Sequence, residues 1–395
     1  MTHYLIVGNG VAGTTAAENI RKLDHDANIT IITDEGFPFY WRIRLNEYLA
    51  GEIREEELLA RSKDWYEDQK IALKLNTRAI GGDADKKLIF TEPGQEILYD
   101  TLLMAVGSHS FIPPIEGADK RGVFALRSLQ DTKEIAAWAR EARDVVLIGG
   151  GLLGLEAGNA LLKLGKNITV VEFFPRLLPR QLDVKGAGML QEIMEGMGFS
   201  FRLGAKTQSI SGENQVEGVL LEGGETLGAQ MVIVSAGVRP NLDLAESLGL
   251  ECDKGIKVDG SLRTNRADIF AAGDVAQFGA MPYGIWPAAM EEGKIAGINM
   301  AGGSEKYTGT TMANTLKVVG IDLASAGDID AEGKLESKSV AGEGIYKKIV
   351  LKGNQIVGCI MLGETTGFAK VTKAMSLKQD ISQIRDHLIA EGFDL

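Results

Sequence analysis

Cysteine is nearly absent: Cys252 and Cys359 are the only two in 395 residues, and they form no C-x-x-C or C-x-x-x-x-C pair. Neighbouring redox or metal-binding cysteines are thereby excluded, and the two thiols read as buried and inert. No apolar run approaches the ~20 residues that a membrane span requires. Positive charge is also short, with 42 Lys and Arg against 54 Asp and Glu and a net charge of -12. That sign argues against nucleic acid or an anionic membrane as the main partner. A core strand begins almost at the first residue, leaving no room for a cleavable signal ahead of it, so a cytoplasmic protein is the expectation. What remains is a globular chain of two or three domains, 45% hydrophobic and 24% charged, amply able to bury a core.

Its organising stretch is Leu5-Ile6-Val7-Gly8-Asn9-Gly10-Val11-Ala12-Gly13, an apolar strand running into a Gly-x-Gly-x-x-Gly turn. In such a turn Gly8 bends the chain, Gly10 lets backbone approach a pyrophosphate, and Gly13 lets the next helix, expected over Thr14 to Leu23, sit close to the sheet. The helix start directs N–H groups and the positive dipole end at that phosphate. The strand from Asn28 ends at Asp34 and Glu35, where a ribose-binding carboxylate belongs, and spacing does not choose between them.

Next, Tyr40-Trp41-Arg42-Ile43-Arg44-Leu45-Asn46-Glu47 mixes aromatics with two arginines: either a surface loop or, through one of the arginines, a pyrophosphate clamp. A largely acidic helical piece to Tyr66 follows, then short strands with turns expected at Gly81-Gly82 and Pro93-Gly94. The strand from Tyr99 leaves through Gly107, and Pro113-Pro114 marks a domain exit.

The strand-glycine-helix grammar recurs at Asp144 to Gly154, with Gly149, Gly151 and Gly154 in the fingerprint positions and a following strand, Asn167 to Val171, ending at Glu172. Recurrence with matching strand, helix and terminal acid makes two dinucleotide sites the reading. Glu172 suits a ribose with both hydroxyls free and so favours NAD over NADP, a preference that Arg176 softens. Glu156, early in the second helix, suits the first turn as an anion. The strand Met231 to Ser235 exits through Gly237, echoing Gly107. Ile269 to Val275 delivers Asp274 after Gly273; this acid either caps a following helix or bonds a sugar-like hydroxyl. Trp286 and Pro287 introduce a helix rich in alanine and glycine. Beyond Thr311, strands Tyr346 to Leu351 and Gln355 to Leu362, with helices Gly367 to Leu377 and Ile381 to Ala390, read as a small α+β domain. Lys347, Lys348, Lys352, Lys370, Lys373, Lys378 and Arg385 lie there, either a solvated face or a patch that steers an acidic partner.

Taken together, the two fingerprints, Thr101 to Gly107, Ala236-Gly237-Val238-Arg239-Pro240-Asn241 and Ile269 to Val275 resemble the FAD-dependent pyridine nucleotide oxidoreductases of the glutathione-reductase fold. Within them, the Tyr40 to Glu47 stretch and the Trp286 helix resemble NADH-rubredoxin oxidoreductases and the FAD portion of nitrite reductases. The resemblance implies an α/β fold of two Rossmann-like dinucleotide-binding domains of the three-layer ββα type plus a small α+β C-terminal domain. Residues 1-112 and 241-310 would form a discontinuous FAD domain, 113-240 the NAD domain and 311-395 an interface domain. It implies tightly bound FAD on Gly8, Gly10 and Gly13, with Arg42 on the pyrophosphate, Asp274 on the ribityl chain and Trp286 at the flavin edge. NADH would bind as co-substrate on Gly149, Gly151 and Gly154, with Glu156 on the nicotinamide side and no metal. Glu47 stands where related ferredoxin reductases often carry a lysine near the flavin. With no redox cysteines placed after the second strand, electrons would pass directly from flavin to a small carrier, rubredoxin-like or ferredoxin-like, and a homodimer is compatible with the chain. An NADH oxidase producing hydrogen peroxide and a redox-responsive partner-binding flavoprotein are the competing expectations.

Overall fold

The structure is a computed structural model that describes residues 1–92, 94–310, 313–385 and 388, with 313–318 as backbone alone. The chain forms two compact units, one of residues 1–43, 54–109 and 238–310, the other of 44–53, 110–237 and 311–395.

In the first unit, five parallel strands run in the order Ile269–Ala271, Thr101–Met104, His3–Val7, Asn28–Ile32, Ile71–Lys74. Successive side chains of a strand point to opposite faces. Tyr4 and Ile6 therefore pack with Ala16, Ala17 and Ile20 of the Val11–Leu23 helix. Leu5 and Val7 pack with Ile89 and Ile97 of an antiparallel sheet formed by Ala79–Asp83, Leu88–Thr91 and Gln95–Leu98. Burial on both faces explains the unbroken apolar run at Leu5 to Val7. The Trp286–Met300 helix lies tightly against Val11–Leu23: a Cβ on Gly293 or Gly297 would come within 2.3 Å of Ala12 O or 2.5 Å of Ala16 O.

The second unit repeats the plan with the parallel order Phe199–Leu203, Asn167–Glu172, Asp144–Ile148, Met231–Val234, Val123–Phe124. Val145 and Leu147 pack with Leu155 and Leu161 of the Leu152–Lys163 helix. Val146 and Ile148 face Val219 and Leu221 of a three-stranded antiparallel sheet. The short Leu45–Leu49 helix belongs here, with Leu49 in the core beside Leu155. So does a C-terminal antiparallel sheet in the order Ala313–Val318, Ile321–Gly327, Gln355–Leu362, Ile345–Lys352, Glu336–Gly342. Ile360 and Leu362 join the core that holds Leu178 and Leu182, while Cys359 and Met361 pack under the Phe368–Ser376 helix.

Several expectations are corrected. The first helix starts at Val11, directly after Gly10. The acidic piece before Tyr66 is three short helices, Leu45–Leu49, Glu55–Leu58 and Lys63–Asp68. Gly81 and Gly82 lie inside a strand, not in a turn. A Cβ on Gly82 would meet Leu88 O at 2.6 Å and the Leu248 side chain at 2.7 Å, so the glycine answers to packing. Pro93 lies outside the described residues, as do 386, 387, 389 and 390 of the helix expected over Ile381 to Ala390; residues 381–385 are not α-helical. Lys347 and Lys348 do not contribute to an open basic face. They are 7% and 5% exposed, and they pair with Glu364 at 2.6 Å and Asp183 at 3.1 Å.

Candidate dinucleotide and flavin sites

The two fingerprint turns are built alike. Gly8 and Gly149 both take φ +112, and a Cβ there would strike Ala105 O at 2.1 Å or Ser235 O at 2.3 Å, so only glycine serves. At the third glycine, a Cβ on Gly13 would sit 2.1 Å from Gly8 O and one on Gly154 2.6 Å from Gly149 O. The middle glycines differ in kind: nothing lies within 4 Å of a Cβ built on Gly10 or Gly151. Each is the N-cap of the helix that follows, and neither helix start carries a side-chain cap. Uncapped N–H donors facing open space fit an anion, and a pyrophosphate is the anion this geometry suits.

Around the first turn, Asn9 is buried, its Oδ1 accepting hydrogen bonds from Tyr66 Oη at 3.0 Å and Thr14 Oγ1 at 3.3 Å. Its Nδ2 has no partner among the described residues. Asp34 is exposed, whereas Glu35 accepts from Tyr40 Oη and Arg42 Nη2, both at 2.5 Å. Asp274 accepts from Ser108 Oγ at 2.7 Å. The helix cap considered for Asp274 has no helix to serve, because the strand Ala276–Gln277 follows it. Arg42 also interacts electrostatically with Asp274, so the structure gathers Glu35, Arg42 and Asp274. Gly107 and Gly273 flank these groups in sequence, and Gly107 opens onto free space. Trp286 stacks on Phe39 at 5.9 Å and leans on Trp41 at 5.6 Å, forming an aromatic wall.

Sequence reasoning missed Glu292. It is 1% exposed, and its carboxylate accepts the Gly273 N–H at 2.8 Å. Burial pushes it up to about 8. The only signal was an acid set among alanines and glycines of a close-packed helix.

In the second unit, Glu172 is 7% exposed and accepts Gly150 N–H at 2.5 Å and Phe174 N–H at 2.8 Å. Two backbone donors thus hold the acid at the strand end beside the turn. Gly237 opens onto free space, as Gly107 does. Glu156 accepts from Asn46 Nδ2 at 2.9 Å. Burial pushes its carboxyl up to about 7; the Asn46 hydrogen bond opposes that rise and the charge of Glu47 adds to it. Glu47 itself pairs with Arg44 at 2.6 Å. Asn46 carries no signal of this role in sequence, because nothing there links it to a residue so far along the chain.

Both cysteines are free, Cys252 half-buried and Cys359 buried with its thiol pushed up to about 12 by burial. Among the described residues, no group of three or more His, Cys, Asp or Glu could hold a metal ion, and no helix is long and apolar enough to cross a membrane.

Residues 2–293 match the family model described as pyridine nucleotide-disulphide oxidoreductase, and residues 313–379 match the rubredoxin NAD+ reductase C-terminal domain. A nitrite reductase (NAD(P)H) of Bacillus subtilis is 37% identical over 383 residues, covering 96% of this chain and 48% of that protein. An NADH-rubredoxin oxidoreductase of Clostridium acetobutylicum is 30% identical over 384 residues, covering 97% of both chains. The solved structure of a NAD-dependent persulfide reductase from A. fulgidus superposes with a TM-score of 0.90 at 25% identity, over 97% of this chain and 78% of that one. The chain spans about half the length of the nitrite and nitrate reductase proteins it matches.

Proposed function

The chain belongs to the pyridine nucleotide-disulphide oxidoreductase family, and from that premise we propose that it is an FAD flavoprotein that takes hydride from NADH and passes electrons directly to a small one-electron carrier, rubredoxin-like or ferredoxin-like. When bound, FAD supplies the conversion from an electron pair to single electrons. The observation that carries the reading is the duplicated turn, in which Gly10 and Gly151 each leave an uncapped helix start facing open space.

Residues 1–112 and 241–310 bind FAD in this reading, 113–240 bind NADH, and 311–395 form the interface domain. The Val11–Leu23 helix start, with Gly8, Gly10 and Gly13, holds the FAD pyrophosphate, and Arg42 adds positive charge beside it. Glu35, oriented by Tyr40 and Arg42, meets the adenosine ribose, with Asp34 the more exposed alternative. Asp274, held by Ser108, bonds the ribityl chain, Gly107 gives it room, Gly273 at φ +83 makes the turn that delivers it, and Trp286 walls the ring edge. On the NADH side, Gly149, Gly151 and Gly154 hold the pyrophosphate, Glu172 accepts the ribose hydroxyls, Gly237 keeps the approach open, and Glu156 faces the nicotinamide, with Glu47 a nearby charge. A carboxylate at Glu172 repels a 2'-phosphate, which makes NADH the preferred donor.

Direct transfer fits the thiols, because Cys359 is buried and Cys252 has no cysteine neighbour in sequence. The matching rubredoxin NAD+ reductase C-terminal domain supports a rubredoxin-like acceptor. A second reading comes from the partial match to nitrite reductases: the chain would then be a flavin module that hands electrons to a separate reductase protein. Anaerobic titration tests the shared part of both. Purified protein should carry FAD, bleach with NADH at stoichiometric amounts, and stay oxidised in dithiol alone; two-electron bleaching of the flavin by dithiol, with the reagent oxidised to its disulfide, would contradict direct transfer.

A further inference from the structure

We propose that Asn46 is a positioning residue for Glu156: its side-chain amide holds one carboxylate oxygen in place, and so sets how strongly the second dinucleotide site prefers the cationic ring of NAD+ over the neutral ring of NADH. This rests on the reading of that site as the nicotinamide site. Asn46 Nδ2 lies 2.9 Å from Glu156 Oε2. Only the amide nitrogen can donate, and a flipped amide would set two acceptors against each other. Oδ1 is therefore turned away, buried and without a partner among the described residues. The amide is held because its helix is anchored by Leu45 and Leu49, 3% and 2% exposed.

The charges around Glu156 leave the amide an unusual weight. On the Leu45–Leu49 helix, Glu47 pairs with Arg44, and just beyond it Glu52 pairs with Lys163 of Glu156's own helix. On the strands beneath, Asp144 accepts from Asn167, and Glu172 is taken up by backbone N–H groups. No cation among the described residues pairs with Glu156, so Asn46 is the donor that favours its charged form, against burial and Glu47. An ionised Glu156 attracts a nicotinamide cation and gains nothing from the neutral reduced ring. NAD+ affinity should therefore rise with pH through about 7, where Glu156 ionises, while NADH affinity should not.

A hydrogen bond to a charged group is worth enough to move that rise by about one pH unit, equivalent to about tenfold in NAD+ affinity near neutrality. The experiment uses oxidised, FAD-loaded protein and measures binding of NAD+ and of ADP-ribose, which lacks nicotinamide, by calorimetry across pH. Asn46→Ala should shift the NAD+ profile upward by about one unit. Asn46→Asp, equal in shape but lacking the donor and adding a like charge, should shift it further. A space-filling role requires the reverse order, with Asn46→Asp close to the parent and Asn46→Ala the disruptive change. ADP-ribose affinity should stay flat in both, which also verifies folding. Glu156→Gln should abolish the pH dependence. If it leaves NAD+ binding unchanged, the nicotinamide-side reading of Glu156 falls and the proposal with it. If Glu156→Gln flattens the profile but neither Asn46 variant moves it, the positioning proposal alone is overturned.

Discussion

The buried carboxylate of Glu292 accepts the backbone N–H of Gly273 at 2.8 Å, one residue ahead of Asp274. It thus fixes the turn that aims the acid proposed for the ribityl chain. Burial pushes Glu292 up to about 8 from an ordinary value of 4.5. A carboxyl that binds its proton more tightly when folded favours folding at low pH, and this contribution is lost as pH rises from about 4.5 to about 8. Glu292→Gln keeps an acceptor for Gly273 and cannot ionise. It should retain FAD and flatten the decline of the urea midpoint between pH ~5 and ~8. Glu292→Ala, which leaves Gly273 N–H unpaired, should weaken FAD retention; equal retention by both variants would contradict the role.

The middle and third glycines of each turn should separate binding from folding. Gly10 and Gly151 have φ of -83 and -78, which alanine adopts freely, and open space where a Cβ would go. Gly10→Ala should therefore keep the apoprotein melting temperature within ~2 °C and lose FAD. Gly151→Ala should keep FAD and lose NADH affinity. Gly13→Ala must displace Gly8 O from 2.1 Å and should lower the melting temperature itself. Cofactor content and calorimetric melting of the three variants check this pattern, and loss of FAD from Gly151→Ala would reverse the assignment of the sites.

In the proposed reading, Glu172 sets the coenzyme preference. Its carboxylate is held by Gly150 N–H and Phe174 N–H, so removing it loosens the turn for either coenzyme, and the informative quantity is a ratio. Glu172→Ala should lower the NADH-to-NADPH ratio of flavin-bleaching efficiency by about tenfold or more, ~1.4 kcal/mol. An unchanged ratio would place the discrimination elsewhere.

Asp183 joins the C-terminal sheet to the rest of its unit. It caps the Val184–Met197 helix through Gly186 N–H, accepts Tyr346 Oη at 2.7 Å and pairs with buried Lys348. Burial alone would raise its carboxyl, but these donors hold it below 3.8. Its stabilising contribution is thus fully present above pH ~4 and lost as pH falls below that. Asp183→Ala removes the counter-charge of Lys348 and leaves its ammonium on the Ile329 and Asp330 carbonyls alone; it should cost about 3 kcal/mol, read from urea unfolding near neutral pH. Asp183→Asn should cost less, and a loss below ~1 kcal/mol in the alanine variant would contradict the pin.

What sequence could show followed from local geometry. Gly8 and Gly149 are legible because their turns admit no Cβ, and Val145 to Ile148 because burial on both faces demands apolar side chains. Long-range partners were hidden. Glu156 and Asn46 meet across the fold, and Lys347 and Lys348 look solvated although the fold buries both, pairing one with exposed Glu364 and the other with buried Asp183. The strand at Gly82 read as a turn because its reason for glycine, the nearby Leu248, is remote in sequence.

Direct transfer from flavin to a one-electron carrier is tested by anaerobic stopped flow, in which NADH-reduced protein is mixed with oxidised rubredoxin. The expected result is flavin reoxidation matched by rubredoxin reduction, one electron per carrier, at more than about one turnover per second. Flavin that stays reduced until oxygen is admitted, with NADH and oxygen then consumed in equal amounts, would contradict the account.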